Sequence, residues 1–244
     1  LRNHRADILN EFFKYGGGVI DCSPMYGSSA EVLGYALRRV ENKKSLFSAS
    51  KVWTPWTSTG PDQMELQRRS WKVSRFDLMQ IHNLLNWEGH LETLQSYKAE
   101  GKIRYIGITS SHGRRHSELE KIMLNQDIDF VQLTYNILDR EAEQRLLPLA
   151  QERGIAVIAN RPYKGGILFQ MFEDKALPVW AKEEAGIMNW AEFFLKFIVS
   201  HPSVTCAIPA TSNIQHMREN MGAAYGALPN SKTRHKMASY LQSL

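Results

Sequence analysis

Two cysteines in 244 residues are too few for a disulfide framework, and both, Cys22 and Cys206, fall inside apolar runs where a small buried side chain is the ordinary expectation. They say nothing about redox compartment. No cysteine and histidine spacing of the zinc type occurs, so no metal is expected. Long hydrophobic runs are absent too. Nothing approaches the roughly 18 apolar residues of a membrane-spanning helix, and the longest apolar helical stretch, from Phe193 to Val199, is interrupted by Lys196 and stopped at Pro202. A soluble chain without a membrane partner is expected. The formal net charge of +5 is spread thinly, and without a basic stripe there is no sign of a nucleic-acid partner. No secretory leader is visible at Leu1. Cytoplasmic location is the default, with an exported or periplasmic form left open because the chain starts inside a helical pattern.

What is present is an alternation of apolar strand runs and amphipathic helices. Apolar residues make up 43% of the chain, enough for a sizeable core in one domain over residues 1–244. Strands are expected at 19–23, 46–52, 77–82, 105–109, 130–135, 156–160 and 204–208. Most are continuously apolar, as in parallel strands covered on both faces. Five of the six spacings are roughly 23–31 residues, about one βα repeat. Between them, Ser28-Ser29-Ala30-Glu31 reads as a capping box, Val32, Leu33, Ala36, Leu37 and Val40 give a helical apolar face, and Gly101 and Gly154 end helices. Residues 165–189 form a longer excursion or loop. Such repeats build either an open doubly wound sheet or a closed barrel. The Gly-x-Gly-x-x-Gly turn of the open dinucleotide-binding sheet is missing. Seven strands preceded by a helix at residues 8–13 then suggest an α/β (β/α)8 TIM barrel whose N-terminal strand is missing from this chain.

Barrel active sites collect at the C-terminal ends of the strands. Asp21 and Tyr26 follow the first visible strand, Lys51 the second and His82 the third. A phenol near pKa 10 is a poor acid at neutral pH, but a nearby ammonium favours the phenolate. Lys51 is thus expected to tune Tyr26, Asp21 to anchor Lys51, and His82 to orient a carbonyl oxygen. Each residue taken singly reads more readily as a cap, a packing group or a solvated charge; the set is what suggests proton donation.

The segment Gly17-Gly18-Val19-Ile20-Asp21-Cys22-Ser23-Pro24-Met25-Tyr26-Gly27 resembles the aldo-keto reductase motif in which Asp and Tyr lie five residues apart. Ser48-Ala49-Ser50-Lys51-Val52-Trp53 is similar to that family's lysine strand, and Asp77-Leu78-Met79-Gln80-Ile81-His82 to its histidine strand. Gly101-Lys102-Ile103-Arg104-Tyr105-Ile106-Gly107 resembles the approach to its fifth strand. The resemblance runs in order along nearly the whole chain. It implies a TIM barrel and NAD(P)H-dependent reduction of aldehydes or ketones to alcohols, or the reverse, with NADPH as first choice and NADH possible.

By the same resemblance, Thr109 and Ser110 stand where the family has Ser-Asn on the nicotinamide carboxamide, and Gln132 matches its glutamine. Asn160 replaces a stacking aromatic ring. Arg161, Lys164 and Gly166 are placed for the pyrophosphate. Ile208-Pro209-Ala210-Thr211-Ser212-Asn213, followed by Arg218-Glu219-Asn220, resembles the adenosine-phosphate motif, with Asn213 capping a helix N-terminus suited to an anion. Ala210 replaces a frequent basic residue, and His216 stands where arginine often grips the 2′-phosphate. Glu219 and Asn220 match the adenine contacts. Met25, Trp53, Trp56 and Trp87 are candidates for an apolar wall around a small-molecule carbonyl substrate. A monomer is the family's commonest form. The alternative is a reductase-like module that binds cofactor or a partner and turns over little.

Overall fold

The computed structural model describes residues 2–244, with side chains from His4 onward. Each apolar run becomes a strand: β1 (Gly18–Asp21), β2 (Leu46–Val52), β3 (Phe76–Ile81), β4 (Ile103–Thr109), β5 (Phe130–Thr134), β6 (Ala156–Asn160) and β7 (Cys206–Ala207). The strands pair in sequence order and every pairing is parallel. The helices on the outside are α1 (Arg2–Lys14), α2 (Ser29–Leu37), α3 (Gly60–Trp71), α4 (Trp87–Ala99), α5 (His116–Asn125), α6 (Leu146–Arg153), α9 (Trp190–Val199), α10 (Ile214–Gly222) and α11 (Ser231–Gln242). The excursion between β6 and α9 holds two short helices, α7 (Ile167–Phe172) and α8 (Val179–Ala185). Among the described residues, no helix is long and apolar enough to cross a membrane.

The architecture is a (β/α)8-type barrel with seven strands among the described residues. Between β7 and β1 the wall is closed by helices instead of ladder hydrogen bonds. There α1 packs on α10, Arg218 pairs with Glu11 at 3.0 Å, and Leu9, Phe12, Met217 and Met221 face one cavity.

Period-two alternation sorts the strand residues between lumen and outer layer. Ala49, Leu78, Phe130 and Ile158 form a small apolar cluster, with Val19, Phe47 and Tyr105 packed against it. This fills the lumen toward the N-terminal ends of the strands. One or two inward positions further along, the same strands present Asp21, Lys51, Gln80 and Gln132, so a polar layer rests on an apolar floor. Gly107 makes room for it: a Cβ there would lie 2.9 Å from Gln80 Cγ. A larger core between strands and helices includes Ile81, Leu94, Ile106, Leu133 and Phe197, all 2% exposed or less.

Two local expectations are revised. Ser28 makes no side-chain cap to α2: its backbone (φ −80°, ψ 9°) is not in the extended form that turns an N-cap hydroxyl toward the first amides. The neighbouring Ser29 hydroxyl meets Cys22 Sγ at 3.1 Å instead. The last strand is shorter than the run 204–208, although Thr205 and Ile208 still donate to Val157 and Ala159 on β6. Gly101 and Gly154 do end α4 and α6, with φ of 73° and 67°.

Candidate active site

β1 delivers Asp21 to the rim of the lumen, and the chain then turns sharply to present Tyr26. Ser23 is extended (φ −156°, ψ 147°), its hydroxyl accepts from the Met25 amide at 3.2 Å, and Pro24 opens the 3₁₀ turn Pro24–Tyr26. Proline fits there because its fixed φ suits the first helical position and its missing N–H has no partner to lose. Lys51, on β2, is fully buried. Its ammonium pairs with the Asp21 carboxylate and donates to the Cys22 carbonyl at 2.9 Å. The other Asp21 oxygen accepts from Gln80 Nε2 at 2.8 Å and Gln132 Nε2 at 3.1 Å, and Gln132 also donates to Gln80 Oε1 at 3.1 Å. A buried ion pair is costly unless its remaining lone pairs and protons are satisfied, and the two glutamines do that here.

His82 begins the turn after β3. Its Nδ1 lies 2.7 Å from Ser23 Oγ, and its ring meets Tyr26 edge to face with centroids 5.7 Å apart. Burial, and secondarily the Lys51 charge, lowers its pKa to about 4, with Asp21 opposing. The ring is therefore neutral near pH 7.

Tyr26 differs from expectation. Although 47% exposed, it is pushed up to about 12, first by desolvation and then by the negative charge of Asp21. The Lys51 ammonium stands 5.3 Å from the Tyr26 ring centroid, but Asp21 has taken up its charge. The arrangement described here keeps the phenol protonated and does not lower its pKa.

These groups open on a cavity of about 550 Å³ lined by Asp21, Tyr26, His82, Gln132, Asn160 and Asn220, among others. Met25, Thr109, Ser110, Arg161 and Ala210 border it as well. A neighbouring cavity of about 690 Å³ shares Arg161, Ala210 and Asn220 with the first, and adds Gly166, Thr211, His216 and Glu219. Lys164 lines a third, more polar recess and is tied to Asp139. Ser212 borders none of the three; its carbonyl is 2.8 Å from His4 Nε2.

Several of the polar groups already have protein partners. Thr109 Oγ1 accepts from the Asn83 amide at 2.9 Å. The Ser110 hydroxyl donates to the Arg114 carbonyl. Asn160 accepts from Thr134 Oγ1 at 2.7 Å and donates to the Ser110 carbonyl at 2.8 Å. Asn220 Oδ1 accepts from the Tyr163 hydroxyl at 2.5 Å, and Glu219 from Gln215 Nε2 at 3.1 Å. Asn213 caps α10, accepting from the amides of Gln215 and His216 at 2.8 and 3.4 Å. Of the aromatic candidates, Trp53 stands 6.4 Å from the His82 ring, Trp56 is 69% exposed, and Trp87 packs partly on the outer core. Met25 alone of the four lines the cavity.

Gln80, Ser23 and Thr134 were not identified as site residues from the sequence. The alternation Leu78, Gln80, His82 carried a usable signal, because residues two apart on a strand share a face.

A buried Lys–Asp pair, a tyrosine and a neutral histidine thus meet at one rim of the barrel. The sequence profile described as "Aldo/keto reductase family" matches residues 2–235, and the chain belongs to that family. It is 25% identical to the uncharacterized oxidoreductase YqkF of Bacillus subtilis (strain 168), over 91% of this chain and 83% of that protein. It is 28% identical to the methylglyoxal reductase YeaE of Escherichia coli (strain K12), over 90% and 78%. Among solved structures, an aldo/keto reductase from Klebsiella pneumoniae in complex with NADP and acetate superimposes with a TM-score of 0.82 at 23% identity, covering 98% of this chain and 86% of that one.

Proposed function

We propose that this chain reduces aldehydes or ketones to alcohols with NAD(P)H, using Tyr26 as the proton donor. The observation that carries the proposal is the convergence of Tyr26, His82 and the Lys51–Asp21 pair on one cavity that shares a wall with a second cavity beside α10. That pair of cavities suits an elongated dinucleotide. The start of α10 offers a positive helix end to a phosphate, and Thr211 and His216 stand beside it. NADPH is the first choice on family grounds. Alanine at 210 and a histidine at 216 supply less fixed positive charge than arginine would, which keeps NADH in play.

When bound, the reduced nicotinamide supplies a hydride to the carbonyl carbon. The chain's own residues manage the oxygen. His82, neutral, donates a hydrogen bond that orients the carbonyl. As negative charge builds on that oxygen, Tyr26 gives up its proton to form the alcohol, and the phenolate left behind is reprotonated from solvent. A phenol held at about 12 is fully loaded with its proton at neutral pH, and a developing alkoxide is a stronger base than phenolate.

Purified protein is mixed with NADPH or NADH and a panel of aldehydes. Tyr26→Phe should lower kcat at least about 100-fold, the scale of general acid catalysis. Equal residual turnover in wild type and variant would sink the assignment. A binding module with little turnover is favoured by one observation, the commitment of Ser110 and Asn160 to protein hydrogen bonds. Tight cofactor binding with no carbonyl reduced would select it.

A further inference from the structure

We propose that Ser23 is a positioning residue which holds His82 as its Nε2–H tautomer and so lets the ring donate toward the oxygen of a bound carbonyl; this rests on the reductase reading above. Ser23 is completely buried and His82 nearly so, at 6% exposed. The Ser23 hydroxyl has two close partners. The Met25 amide donates to it at 3.2 Å, and His82 Nδ1 lies 2.7 Å away.

A serine hydroxyl carries one proton and two lone pairs. The Met25 N–H already fills one lone pair. If Nδ1 carried the ring proton and donated to the second, the hydroxyl proton would be left in a dry site without an acceptor, which is costly. With the hydroxyl donating to Nδ1, every group at this junction is satisfied and the ring proton must reside on Nε2. That nitrogen has no protein partner among the described residues, and its ring lines the catalytic cavity. The same hydroxyl holds the turn that presents Tyr26, so one side chain sets both the proton donor's turn and the histidine's tautomer. An Nδ1–H ring would turn a lone pair toward the substrate oxygen and repel it.

The test combines long-range ¹H–¹⁵N correlation spectra of the imidazoles in histidine-labelled protein at neutral pH with steady-state kinetics of wild type, Ser23→Ala and Ser23→Thr. Wild-type His82 should show the Nε2–H pattern, with Nδ1 shifted as a hydrogen-bond acceptor. Ser23→Ala should abolish that shift or mix the tautomers and lower kcat about tenfold, with the cofactor KM unchanged; Ser23→Thr, which keeps the hydroxyl, should recover the wild-type spectrum. An Nδ1–H ring in wild type overturns the proposal. So does a Ser23→Ala protein with unaltered imidazole signals, or one with altered signals and unaltered kcat. If wild type reduces no carbonyl at all, the reductase reading fails while the spectra still decide what fixes the ring.

Discussion

His82 shows how burial, which no motif displays, sets the chemistry of a side chain. Its pKa moves from 6.5 to about 4 because the charged ring would be desolvated beside Lys51. Above 6.5 the ring is neutral in folded and unfolded chains alike, and its titration leaves stability unchanged. Between 6.5 and 4 the unfolded chain takes up the proton and the folded chain does not. Stability should therefore fall as pH drops through that window, by on the order of 3 kcal/mol once the pH is below 4. His82→Asn removes this dependence, so its melting temperature should decline less between pH 6.5 and 4 than that of wild type; parallel declines would place the acid sensitivity elsewhere. The pairing of Asp21 with Lys51 was legible from strand order and the chemistry of opposite charges. The rise of Tyr26 was not, because it depends on which charge Lys51 has already neutralised and on how much water the wall excludes.

Among the elements, strands were read more faithfully than helix ends. Nearly continuous apolar runs such as 156–160 leave little freedom in a parallel sheet, and β6 spans the full run. The Ser28 cap depended on a single backbone angle that the tetrapeptide pattern does not specify. Helix packing was also invisible in sequence: Gly34 on α2 lies so near α3 that a Cβ would stand 1.8 Å from the Ser70 carbonyl oxygen. That obstacle is backbone and cannot rotate away. Gly34→Ala should thus force α2 and α3 apart despite alanine's better helix propensity. The expected cost is about 1–3 kcal/mol, or a melting temperature lower by roughly 2–10 °C in a chain of this size. A melt by circular dichroism showing no drop would contradict the close approach.

At the scale of the molecule, regular spacing showed the order of the strands, while the closure between β7 and β1 stayed hidden. Arg218 read as part of a cofactor motif, yet its guanidinium pairs with Glu11, 207 positions away in sequence. The candidate catalytic residues lie on or just after the first three strands, and the adenosine-side candidates on or near the last strand and α10. Asp21 and Gln132 meet across the lumen, but the two ends of the sheet are joined by helix contacts instead of a backbone ladder. A junction of that kind should open before the ladders do. In a urea titration, turnover should therefore be lost at a lower concentration than the far-ultraviolet circular dichroism signal; coincident midpoints would show the molecule yielding as one unit. Catalytic rate would then serve as a gauge of ring closure, reporting the last step of folding while the secondary structure around it still looks complete.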